Sequence, residues 1–269
     1  MDSDKIAFEV LTKIGIKVSQ LPARNDRKEA DFIGMIEDEM YIIEAKLKTD
    51  DFDLVKEKEQ MLSSGEPHVA EGSLGRDEAI STIIRSGAHQ LRSSAKIHDH
   101  DYKILFVLSE GINSITKSDN LVDTLYGRTR VMNMDNNRMK PCYFFYHAEL
   151  YRRKDDIDAV IEGYIDHNGV PLLKLCLNPY SKCYDALRSS LLSNVFGKAV
   201  IDPYLEESQG ACYLPDVDKP RSKPADSYLT PLMNPMLLHL REKYKTGYLI
   251  AIDFDSPEIT VRETTQPES

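Results

Sequence analysis

Residues 30–48, ADFIGMIEDEMYIIEAKLK, constrain this chain more than any other stretch. Two apolar segments, Ala30–Ile36 and Met40–Leu47, flank a short acidic turn, which is the pattern of a β-hairpin. With Glu37 and Asp38 at the turn, Ile36 faces Glu39, Ile33 faces Ile42 and Asp31 faces Glu44. A four-residue turn keeps this pairing, and a three-residue turn breaks it. Side chains alternate along a strand, so Asp31, Glu44 and Lys46 then share one face. Directly opposed residues have Cβ atoms roughly 5 Å apart. Two carboxylates at about 5 Å repel by about 3 kcal/mol at an effective dielectric of about 20. A cation has to offset that repulsion. Lys46 supplies one charge, and a hard divalent ion, which prefers carboxylate and carbonyl oxygens, would supply more. Such a site suits phosphodiester hydrolysis. A metal polarises the phosphoryl oxygen and acidifies a bound water. A neighbouring lysine orients or deprotonates that water and offsets charge building on phosphorus.

The elements around the hairpin follow a simple order. Residues 4–15 read as a helix, with Ile6, Val10, Leu11 and Ile14 at helical spacing and Gly15 as the stop. A short strand follows near Ile16–Leu21, then a charged loop, NDRKE. Residues 51–62 form a charged helix, and SSGEPHVAEGSLG a glycine-containing loop. Residues 77–97 carry Ile80, Ile84, Ala88, Leu91 and Ala95 on one helical face. YKILFVL, 102–108, is a continuous apolar run of the kind found in a buried central strand. The order is α-β-β-β-α-β with one inserted helix. Further on, PCYFFYH (141–147) is expected as a strand. AVIEGYID and VPLLKLCLN are expected as a hairpin around Asn168-Gly169, a preferred tight-turn pair. Residues 181–195 and 234–245 read as helices and YLIAIDF as a strand. Residues 202–235 carry Pro203, Pro215, Pro220, Pro224, Pro231 and Pro235, which implies a long irregular segment or lid. The last dozen residues form a polar tail.

These residues resemble the PD-(D/E)XK nuclease superfamily, the restriction-endonuclease-like fold. Its motif is an acid opening the second strand, then acid-x-Lys on the third. Asp31, Glu44 and Lys46 match those positions. Ala30 stands where the motif often has proline. The resemblance implies that the Ala45 carbonyl joins Asp31 and Glu44 as a metal ligand. It also implies helper residues from the flanking helices, which Glu9 and Gln90, within GAHQLRSSA, would supply here. Acid-x-Lys occurs two more times, as Asp26-Arg-Lys28 and Asp101-Tyr-Lys103. Only Glu44-Ala-Lys46 ends an apolar strand with an acid facing it.

The expected fold class is therefore α/β. A mixed central sheet flanked by helices makes a restriction-endonuclease-like core over residues 1–110. Residues 111–155 continue the core, and residues 156–269 form a C-terminal α+β extension of unassigned role. The resemblance implies a Mg²⁺- or Mn²⁺-dependent endonuclease acting on DNA, with RNA as the alternative substrate. The non-enzymatic alternative is an inactive nuclease-fold module that binds nucleic acid or a partner protein.

Charge bears on how such a chain would hold its substrate. Thirty-four Lys and Arg against 44 Asp and Glu give a net charge of −10, which disfavours binding nucleic acid through a bulk basic field. Segment 111–154 differs, with eight cations and four anions, a net of +4 suited to gripping phosphates. The overall acidity suggests that another subunit supplies much of the DNA affinity, and the resemblance implies a helicase or ATPase in that place. Nucleases of this fold often serve with such motors in bacterial anti-phage and restriction systems, and often act as dimers. Ser181–Phe196 and the proline-rich segment, with Tyr204, Tyr213 and Tyr228, are candidate partner surfaces. The four scattered cysteines, Cys142, Cys176, Cys183 and Cys212, form no CxxC pair. No cationic segment leads into an apolar one near the start, and no apolar run approaches about 20 residues. A cytoplasmic location without membrane attachment is the expectation. His98-Asp99-His100-Asp101 could hold a transition metal, but a polar loop is due before the next strand anyway. SSGEPHVAEGSLGRD lacks Gly-Lys-Ser/Thr and is not a P-loop.

Overall fold

The computed structural model describes residues 3–22, 29–50, 52–166, 168–216, 234–252 and 255–261. Its elements run α1 (Ser3–Lys13), β1 (Lys17–Gln20), β2 (Phe32–Ile36), β3 (Glu39–Lys48), α2 (Phe52–Ser63), β4 (His68–Ser73), α3 (Glu78–Ser94) and β5 (Tyr102–Ser109). There follow α4 (Ser114–Tyr126), β6 (Thr129–Asn133), β7 (Arg138–Cys142), α5 (Glu149–Arg152), β8 (Ala159–Ile165) and β9 (Pro171–Leu177). The described chain closes with α6 (Tyr184–Arg188), α7 (Leu191–Phe196), β10 (Val200–Ile201), α8 (Pro203–Ser208), α9 (Pro235–Tyr244), β11 (Leu249–Ile252) and β12 (Asp255–Thr260).

A mixed seven-stranded sheet, ordered β1-β2-β3-β5-β8-β9-β10, forms the centre. Its middle strands β3, β5 and β8 are parallel, and the β1–β2, β2–β3 and β8–β9 pairs are antiparallel. Alternation along β3 and β5 sends side chains into two cores. Tyr41, Ile43, Ile104 and Phe106 pack beneath α1, α6 and α7 through Leu11, Leu187 and Leu192. Ile42, Leu105 and Val107 pack against α3 and α4 through Ile84, Leu91 and Leu121. Each such fully buried aliphatic side chain contributes about 1.5–3 kcal/mol. The apolar stripe of α3 is the one its spacing predicts, with Ile80, Ile84, Ala88 and Leu91 buried. Asp77 caps the helix, accepting from the Ala79 and Ile80 amides.

The fold is α/β with helices on both faces of a mixed sheet, as expected. Several local expectations change. Only Pro141 and Cys142 of the predicted strand 141–147 lie in a strand, β7. Beyond them Phe144 takes a positive φ of 57°. The Phe144 and Tyr146 amides donate to the Tyr126 and Gly127 carbonyls at the end of α4 instead of to a ladder. The aromatic run is buried because it turns between two cores. The predicted glycine loop after α2 contains β4, which pairs with β12 far along the chain, so the insertion is a helix plus a strand. The hairpin β8–β9 has the expected strands, but its connection spans 166–170, with Gly169 at φ 75°. The expected helix 181–195 is broken into α6 and α7, and Ser190 caps the second piece.

Strands β8, β9 and β10, from the segments set apart as an extension, continue the central sheet. Conversely, β11 returns to pair with β6, making a three-stranded sheet β11-β6-β7 backed by α9. Pro203 and Pro235 each open a helix, at its first turn. Pro220, Pro224, Pro231, Tyr228, most of the NDRKE loop and most of the polar tail lie outside the described residues. Among the described residues no helix is long and apolar enough to cross a membrane.

Candidate functional site

The β2–β3 register runs from Ile36↔Glu39 to Phe32↔Ile43, with Ile33 facing Ile42. The next pair outward is Asp31 with Glu44, the pairing inferred from the hairpin. Glu44 lies on the α3 face of the sheet, opposite Leu105 of β5, and is fully buried. Asp31 is half-buried, and its Oδ2 accepts the Ala45 amide at 2.8 Å. A strand residue's N–H and C=O point to the same neighbour, so the Ala45 carbonyl opens on the Asp31 side. The Lys46 ammonium pairs with Glu44 Oε1 and donates to Gln90 Oε1 at 3.1 Å; its side chain is 26% exposed. Gln90 also donates through Nε2 to the Glu29 carbonyl at 3.1 Å. Asp31, Glu44, Lys46 and Gln90 thus come together as the sequence predicts.

The electrostatics are strained in one direction. Burial first, and then the Asp31 charge, push the Glu44 carboxyl up to about 8 against the pull of Lys46. Asp31 is also raised, by burial and then by the charge of Asp4, against the Ala45 amide and Lys46. Two carboxyls this close do not both ionise readily, and near neutrality they share a proton. Glu44 Oε2 is buried and, apart from the Asp31 carboxyl, has no hydrogen-bond partner among the described residues. A buried, donor-poor oxygen beside a second carboxylate is the donor set a hard cation takes. Among the described residues no group of three or more His, Cys, Asp or Glu is placed to hold a metal. The oxygens available to an ion here are two carboxylates and one carbonyl, so water would have to complete the shell, which Mg²⁺ accepts.

Glu9 does not join the site. It is exposed on α1, turned away from the buried Ala7, Val10 and Leu11. The acid of α1 whose charge reaches Asp31 is Asp4. Asp4 stands three residues before Ala7 and seven before Leu11, on the inward stripe of the helix, and that spacing was the available signal. Two further contributors escape sequence reading. Ser94 Oγ accepts the Ala30 amide at 2.7 Å. At Gly87 a Cβ would stand 2.5 Å from Leu105 Cδ1 and 3.5 Å from Glu44 Cγ, so glycine brings α3 close over the acid. On the same face, Lys48 donates to Asp77 Oδ2 at 2.8 Å. Burial raises Asp77, but Lys48 and the helix amides outweigh it and hold this carboxyl low.

The basic segment 111–154 is largely spent on internal pairs. Lys117 binds Asp50, Arg128 and Arg130 grip the buried Asp123, and Arg152 and Arg153 flank the buried Glu149. Lys140 donates to the Gly210 carbonyl. The expected phosphate-gripping stretch is thus mostly scaffold, because six of its eight cations have an acid or a carbonyl within reach. The His98–Asp101 run is likewise divided. His98 faces Glu29 at 3.6 Å, His100 Nδ1 contacts the His98 carbonyl at 2.9 Å, and Asp101 accepts the Met40 amide at 2.8 Å. Cys142, Cys176 and Cys212 are buried free thiols. Comparison with protein-family models, with curated proteins and with solved structures finds no match to this chain.

Proposed function

We propose that this chain is a Mg²⁺- or Mn²⁺-dependent nuclease that hydrolyses phosphodiester bonds of DNA, with RNA as the alternative substrate. One observation carries the reading. The acid just before β2 and an acid of β3 converge on one sheet face beside a lysine, and the second acid is fully buried with the first carboxyl and that lysine as its partners. Asp31, Glu44 and the Ala45 carbonyl would hold the ion. When bound, it would polarise the phosphoryl oxygen and acidify a water. Lys46, steadied by Gln90, orients the attacking water and offsets charge on the phosphate. Asp31 and Glu44 would have to release their shared proton to solvent for an ion to be held there.

The internal pairing of the basic segment and the net charge of −10 support a second subunit, such as a helicase or ATPase, as the source of DNA affinity. A homodimer and an anti-phage role rest on the resemblance alone. The same internal pairing favours, as the second reading, an inactive nuclease-fold module that binds a partner protein.

The test is cleavage of plasmid and single-stranded DNA with Mg²⁺, Mn²⁺ or EDTA, comparing the wild type with Glu44→Ala and Lys46→Ala. Metal-dependent cutting lost in both variants supports the nuclease. Cutting that survives both substitutions places the activity elsewhere. Absence of cutting by the wild type, alone and with a motor subunit, favours the binding module.

A further inference from the structure

We infer that Ser94 is a positioning residue for Asp31, so that helix α3 sets the spacing of the whole acid–lysine group. This inference rests on the metal-site reading above. Three residues of α3, spaced by three and four, meet the site along one helical stripe: Gly87, Gln90 and Ser94. Gly87 packs against Leu105 and Glu44, and Gln90 holds Lys46 and the Glu29 carbonyl. Ser94 is fully buried and accepts the amide of Ala30, the residue before Asp31.

That contact matters because the sheet does not fix Asp31 by itself. The β2–β3 ladder stops at Phe32↔Ile43, one residue short of the acid. The Asp31 carbonyl is held by the Leu21 amide at 2.8 Å, which secures one side of the residue. On the other side Ala30 is 3% exposed, so its amide cannot turn to water. Ser94 is its acceptor. A buried amide deprived of an acceptor reorients until it finds one. The peptide that would turn is the one leading into Asp31. Loss of the Ser94 hydroxyl therefore leaves the strand in place but leaves the Ala45 amide alone to hold the carboxylate in the geometry it shares with Glu44.

The experiment is Mn²⁺ titration of the full chain, followed by electron paramagnetic resonance, with far-UV circular dichroism as the check on folding. Thr and Val have the same shape and differ at the hydroxyl. Ser94→Thr is expected to bind Mn²⁺ within about threefold of the wild type, and Ser94→Val about 10–100-fold more weakly, the range for losing a group that orients a metal ligand. Ser94→Ala, which adds no bulk, should lose as much as Ser94→Val and serves if the branched side chains do not pack. Equal affinity with and without the hydroxyl, in folded variants, overturns the positioning role and leaves the metal site standing. Wild-type binding no tighter than that of Glu44→Gln instead overturns the metal reading and this inference with it.

Discussion

Two buried Glu–Lys pairs lie on the same face of the central sheet, and they are built differently. Lys46 of β3 and Glu162 of β8 flank the same residue, Val107 of β5, about 10 Å apart across two strand spacings. Glu162 and Lys174 face each other directly in the β8–β9 ladder. Glu162 Oε2 accepts the Ser118 hydroxyl at 2.6 Å, and Oε1 meets the Lys174 ammonium at 3.3 Å. Burial raises Glu162, and its two closest partners both act against that rise. Glu44 is equally buried, but across the ladder from it stands another acid, and only one of its oxygens has a cation. The buried acid that serves stability has a partner of suitable charge at each oxygen, Ser118 at one and Lys174 at the other. A buried acid beside a like charge is left wanting a cation, and that shortage gives it a use.

The largest expected contrast between the pairs is in chemistry. Glu44→Gln should reduce metal-dependent cleavage by about 10²–10³-fold, the scale for removing one electrostatic contact to the reacting group. Glu162→Gln should change it by less than about threefold, since the two sites share no partner. Gel-based plasmid nicking rates check both. Equal losses would erase the distinction.

The next contrast is in stability against pH, measured by urea unfolding in EDTA. Folded, Glu44 keeps its proton up to about pH 8; unfolded, it loses it near its ordinary value of 4.5. Between those values the folded chain binds the extra proton, so stability falls as pH rises. The slope for this one group is about 1.4 kcal/mol per unit, and it flattens above pH 8. Glu44→Gln should remove that slope and be more stable than the wild type at pH 8 by about 1–3 kcal/mol. A variant that gains stability while losing activity marks a strained functional acid. At the other pair the substitution acts in the opposite direction. Ser118→Ala should cost about 2 kcal/mol by taking a donor from a buried charge, with cleavage intact.

The sequence made one half of this comparison legible and hid the other. The hairpin register followed from period-two alternation and a short acidic turn, and it placed Asp31, Glu44 and Lys46 together. Gln90 entered through the family resemblance, on the flank of the apolar stripe of α3, and its contact with Lys46 fits that place. Glu162–Lys174 was invisible as a pair, although both residues sat in a hairpin recognised as such. Only the length of its connection, five residues from 166 to 170, fixes which residues oppose. Glu9 is misplaced and Asp4 is missed because helix flanks are hard to rank before the sheet beneath them is known. The cations of 111–154 looked like a phosphate grip because their acids, Asp50 and Asp123, are brought in by α4 and the end of β3. The run YFFY read as a strand because burial was legible but the destination of its backbone hydrogen bonds was not.

The smallest expected effect on stability tests whether closeness of α3 is what distinguishes the Glu44 pair. Gly87→Ala adds a methyl group that meets Leu105 Cδ1 at 2.5 Å and Glu44 Cγ at 3.5 Å. Alanine stabilises a helix interior by about 1 kcal/mol over glycine. Crowding a packed core costs about 1–3 kcal/mol, less where the displaced atom ends a flexible side chain, as Leu105 Cδ1 does. The two terms nearly cancel, so the urea midpoint should move little. The geometry does not cancel, because relief of the clash lifts the helix that carries Gln90 and Ser94. Mn²⁺ affinity should therefore fall several-fold at nearly constant stability, while Ser118 and the Glu162 pair, held by α4, stay as they are. An unchanged affinity would mean that the strands alone hold the acids in place, and that the two pairs differ in their partners but not in their dependence on the helix above them.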